Sequence, residues 1–145
     1  MNNPNQERLP DIIKTAKLDA SIQSVWDAVA TSSGIASWFM PNDFEPIIGH
    51  EFTLQTDFGP TPCKVTEVNS PNRLSFDWDT FGWHVTFDLI EIDGETELTV
   101  THSGWGAPDE IIPRTQQPNA LIHNIMNNGW EPNINEKLRK VVEGK

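Results

Sequence analysis

The sequence predicts an α+β domain in which a curved antiparallel sheet wraps a long C-terminal helix. Three observations carry this. One strand and two short helical patterns open the ordered chain, a period-two meander fills 44–102, and apolar residues recur every four positions from Ile122 to Val142. A twisted antiparallel sheet with one dry face needs a cover, and the last segment is the element long enough to supply it.

Residues 1–10, rich in Asn, Pro and Gln, read as a disordered lead-in, and 11–145 as a single domain. A first strand over Ile12–Leu18 precedes Ser21, which is placed to cap a helix whose face is Ile22, Val25, Trp26 and Val29. Ile35, Trp38 and Phe39 then mark one or two helical turns that stop before Pro41. In the meander, Phe52 and Leu54 alternate with polar residues, as do Leu74, Phe76 and Trp78. Asp93-Gly94 joins a strand over 83–92 to one over 96–102, and the parity break at Ile90 and Ile92 suggests a bulge. The stretch 103–118 holds two Gly and three Pro and reads as a long, partly irregular loop. In 119–143, Ile122, Met126, Trp130, Ile134, Leu138 and Val142 form one stripe, with Pro132 kinking or splitting the helix without shifting its phase.

The 145 residues carry 10 Lys and Arg against 21 Asp and Glu, a net charge of −11. Binding to nucleic acid or to an anionic membrane surface needs clustered cations, so both partners are disfavoured and the charge reads as a solubility device. Cys63 is the single cysteine, which removes intramolecular disulfides and thiolate metal clusters. No run resembles a signal peptide or a transmembrane helix, so a reducing cytoplasm is the expected location.

Catalytic machinery is not visible. His50, His84, His102 and His123 lack paired metal-ligand spacing, and no phosphate-binding Gly-rich loop or nucleophile elbow occurs, so no metal, cofactor or catalytic residue is expected. Asp77 and Asp79 share a parity opposite to Phe76 and Trp78 and are expected to face water. Cys63 has no inward basic neighbour to activate it. Six Trp and seven Phe, with no Tyr, are the remaining signal. Composition leaves open whether these rings fill a core or line a pocket.

Several short segments carry a family resemblance: Ala20-Ser21 with Val25-Trp26, Trp38-Phe39, Arg73-Leu74-Ser75-Phe76-Asp77-Trp78, Leu98-Thr99-Val100-Thr101-His102-Ser103-Gly104-Trp105, and Gly129-Trp130 with Leu138. In this order the chain resembles the START-like (SRPBCC, birch-pollen-allergen fold) superfamily. Within it the chain is similar to the Aha-type family, named for the activator of a heat-shock chaperone's ATPase. The resemblance implies a helix-grip fold with a cavity between sheet and final helix, used across the superfamily for lipids, sterols and polyketides.

On that basis the expected function is binding or carriage of a small apolar, lipid-like or polyaromatic ligand. Its walls are Trp38 and Phe39 from the second helix, Phe76, Trp78, Val85, Phe87 and Val100 from the sheet, and Trp105, Ile122, Met126 and Trp130 from the last loop and helix. His102 shares the strand face of Leu98 and Val100 and so points inward, where it reads either as a satisfied core residue or as the polar anchor of the ligand. Trp105, between Gly104 and Gly106, is open to two readings, a gate for the cavity or a plug in its end. A chaperone-activator type of interaction module, with a role in stress response, is the first alternative. A cyclase-like or hydrolase-like enzyme is the second, and would need an inward acid-base pair.

Overall fold

The computed structural model describes residues 7–144. Residues 1–6 of the expected lead-in lie outside the described residues, while the Leu9 N–H is bonded to the Gly106 carbonyl at 2.9 Å.

Six antiparallel strands form one sheet in the order β1-β6-β5-β4-β3-β2, with β1 at Ile12–Leu18, β2 at Glu51–Thr56, β3 at Gly59–Asn69, β4 at Arg73–Trp78, β5 at Trp83–Ile92 and β6 at Glu95–Ser103. Strands β2 to β6 follow one another as hairpins. The first strand closes the far edge on β6, with Ile12 opposite His102 and Leu18 opposite Thr96. Between β1 and β2 lie α1 (Ile22–Val29) and α2 (Ser32–Trp38). Ser21 caps α1 by accepting from the Ser24 N–H, and Thr31 caps α2 by accepting from Gly34. The Trp38 indole N–H donates to the Ala28 carbonyl at 2.8 Å, which locks the two helices together.

The bulge expected at Ile90 and Ile92 is absent, because β5 and β6 pair without interruption from His84–Ser103 to Ile92–Glu95. Ile90 and Ile92 simply point away from the core and are exposed. The register shift lies instead in β3, between Val65 and Glu67. The stretch 103–118 is also more ordered than expected: a two-stranded ribbon, β7 (Ile111–Ile112) with β8 (Gln117–Pro118), folds back on itself. Asn119 fixes its base, accepting from the Gly106 N–H at 2.8 Å and donating to the Glu110 carbonyl at 2.7 Å.

The gripped helix runs without a break as α3 (Asn119–Pro132), a π-helical segment (Asn133–Lys137) and α4 (Leu138–Glu143). A stripe repeating every four residues drifts by about 40° per step on an α-helix. The wider π turn immediately after Pro132 absorbs part of that drift, with the Leu138 N–H reaching the Asn133 carbonyl five residues back. Ile134 and Leu138 therefore stay fully buried beyond the proline.

Candidate functional site

The inner face of the sheet positions most of the expected residues. Register places Phe76 opposite Val85, Val85 opposite His102, and Phe87 opposite Val100, all buried against the helix. Around His102 the rings close completely. Trp78 stacks on it at a centroid distance of 5.4 Å, Trp83 meets it edge-on at 4.8 Å, and Trp105 lies at 4.7 Å. From α3, Trp130 donates its Nε1–H to His102 Nδ1 at 3.1 Å.

An indole donates only, so this bond leaves the proton of neutral His102 on Nε2. That Nε2 is buried and has no hydrogen-bond partner among the described residues. Burial, with a minor contribution from the His123 charge, pushes the imidazole down to about 3. His102 is thus a neutral centre of a Trp cage. Cys63, also inward, is pushed up to about 12, chiefly by burial, so its thiol stays protonated.

Trp38, Phe76, Val85, Phe87, Val100, Trp105, Ile122 and Trp130 are buried in the packed core. Half-buried Phe39 and Met126, together with the buried Trp78, line a cleft of about 370 Å³ at one end of the grip. Phe39 stacks on both Trp38 and Trp130 at 5.2 Å and meets Trp78 edge-on at 5.7 Å, so the cleft floor is continuous with the core. The rest of the cleft comes from residues outside that set: Trp83 and Phe58 are apolar, while Asp57, Asp79, Arg114 and Lys137 are charged.

Asp79 corrects the expectation that it faces water. The β-alternation ends at Trp78, and Asp79 takes a left-handed backbone at φ 67°, which turns its carboxylate inward. Its side chain is 3% exposed and holds Arg114 in a two-pronged pair, Nε to Oδ2 at 2.7 Å and Nη2 to Oδ1 at 3.0 Å. Those bonds hold the Arg114 guanidinium above the ordinary arginine value. The same pair, with Phe58, also borders a second recess of about 290 Å³. Arg114 sits in the turn between β7 and β8 and is the one cation of 103–118. A lone basic residue in that long loop was the available signal for it.

This six-stranded sheet closed on a long C-terminal helix, with a cleft at the mouth of the grip, defines a helix-grip domain of the START-like class. The chain belongs to the family described as Activator of Hsp90 ATPase homolog 1-like protein, whose model matches residues 19–143. Among solved structures, protein BH1534 of Bacillus halodurans is 48% identical, with 94% of this chain and 99% of that one covered and a TM-score of 0.87. MLL2253 of Mesorhizobium loti is 24% identical over 94% of this chain and 98% of that one, at 0.78. The Aha1 dimer of Colwellia psychrerythraea is 18% identical over 93% and 97%, at 0.76. A comparison with curated proteins gave no match. Among the described residues no helix is long and apolar enough to cross a membrane.

Proposed function

We propose that the chain binds a small, flat, largely apolar molecule in the cleft between the open end of the sheet and α3. The observation that carries this is the composition of the cleft: Phe39, Trp78, Trp83 and Met126 make an aromatic and thioether floor beneath the Asp79–Arg114 pair. Binding sites for small molecules combine an apolar wall with a few fixed polar groups, and about 370 Å³ lies in their usual size range. The core rings behind the floor hold it rigid, so little side-chain entropy is lost on binding. A structurally related protein, DynU16, is described as a putative protein in the dynemicin biosynthetic locus.

Two of the six Trp border the cleft, so occupancy changes intrinsic fluorescence. Titration with fatty acids, flavonoids and polyketide-like aromatics is expected to give at least one saturable change, and Met126→Trp, which fills the cleft, is expected to abolish it. A response that survives Met126→Trp, or no response from a folded and ligand-free protein, would reject the cleft as the site.

A further inference from the structure

We infer that the cleft selects an organic anion, a carboxylate carried on an apolar aromatic body, with Arg114 and Lys137 receiving the carboxylate. This rests on the cleft being the binding site. The four charged residues at its rim are not equivalent. Asp79 has committed both oxygens: Oδ2 accepts from Arg114, and Oδ1 accepts from Arg114 and from the Thr80 N–H at 2.9 Å. Arg114 has five N–H donors and places two on Asp79. Its Nη1 edge has no partner among the described residues, and 33% of the side chain is open. The ammonium of Lys137, exposed at the end of the π-helical segment, likewise has no hydrogen bond or ion pair among the described residues.

Asp79 is therefore a positioning residue. By gripping Arg114 through two bonds it fixes the plane of the guanidinium, so a ligand carboxylate meets an oriented donor edge. The pair is neutral as a unit, and Lys137 supplies the surplus positive charge. Asp57 opposes it from the exposed tip of the β2–β3 hairpin, and since water and salt screen both of these exposed charges alike, the preference rests first on the oriented Arg114 edge. The rim thus carries two cations and two anions in a chain of net charge −11, a local relief from the negative field. A cationic ligand would face an Asp79 whose oxygens are already taken. A neutral one would cover the Arg114 and Lys137 donors without an acceptor for their charge.

The test uses the full chain and three probes of one shape: naphthoate, uncharged naphthamide and cationic naphthylmethylammonium. Quenching of Trp emission reports affinity. Naphthoate is expected to bind about tenfold or more tightly than the other two. Lys137→Glu, an exposed change that leaves the core intact, is expected to weaken naphthoate far more than naphthamide and so to remove that margin. Asp57→Asn is expected to tighten naphthoate binding. Equal affinities for the three probes, or a preference for the cation, would overturn the anion inference and leave the cleft standing. Failure of every probe to bind would overturn both.

Discussion

The indole N–H of Trp130 reaches Nδ1 of His102 at 3.1 Å, and this one bond ties the gripped helix to the last strand of the sheet that grips it. The bond requires a neutral imidazole, because a protonated His102 has no acceptor to offer. Folding therefore holds the group well below the ordinary histidine value, at about 3. An unfolded chain takes up this proton below pH 6.5 and the folded one does not until about pH 3, so stability falls as pH drops through that window. Between pH 7 and pH 5 the expected loss from this group is about 2 kcal/mol. His102→Gln keeps an acceptor for Trp130 and does not titrate. Urea unfolding at the two pH values is expected to show a clearly smaller loss for the variant, and equal losses would exclude His102 as the source.

Strand parity alone puts His102 inward, since it shares the face of Leu98 and Val100 and β6 pairs without irregularity. The same parity failed one residue past the end of β4. Alternation holds only while the backbone stays extended, and Asp79 at φ 67° has left the strand, so its side chain turns to the side that Trp78 faces. The stripe from Ile122 to Leu138 fixed the gripped helix. Its spacing of four, set around Pro132, already departed from the 3.6 of an α-helix, which is where the π turn lies. The cleft itself was not legible. It is assembled from the tips of two hairpins, a loop ribbon and the helix, and no local pattern connects Phe58, Asp79, Arg114 and Lys137.

The Asp79–Arg114 pair is expected to show a characteristic ordering of stabilities. Arg114→Gln leaves a nearly buried carboxylate without its cation, whereas Asp79→Asn/Arg114→Gln removes both charges and keeps a hydrogen-bonding pair. Breaking a buried pair by removing one partner costs more than replacing both. The single variant is therefore expected to melt below the double. A double variant that melts at or below the single would show that Asp79 does not depend on Arg114.

Trp105 has the geometry of a plug. It is 1% exposed, its N–H donates to the His102 carbonyl at 3.0 Å, and its ring packs on Trp83, His102 and His123. Trp105→Ala is expected to cost about 3–5 kcal/mol in chemical denaturation, the usual loss for truncating a buried Trp. A gating ring would give a smaller loss together with faster release of a bound probe, and stopped-flow dissociation separates the two outcomes.

Gly104, next to that plug, is fixed by backbone geometry on two counts. Its φ is +88°, a region that costs a residue with a Cβ about 1–2 kcal/mol, and a Cβ there would run into the carbonyl of Gly82 at the facing turn. Gly94 separates these effects, because it has a similar φ of +83° in the β5–β6 turn but open space where its Cβ would stand. Gly94→Ala is expected to lose only the conformational part. Gly104→Ala carries the same strain and must also push the Gly82 strand end away, which moves Trp83 and loosens the Trp cage on His102. The difference between the two urea midpoints measures the close approach alone, and is expected to correspond to a further 1–3 kcal/mol or so, the usual range for overpacking a tight site. If the two variants unfolded at the same midpoint, the 82–104 crossing would be free to open, and the rigid end wall that the plug requires would not exist.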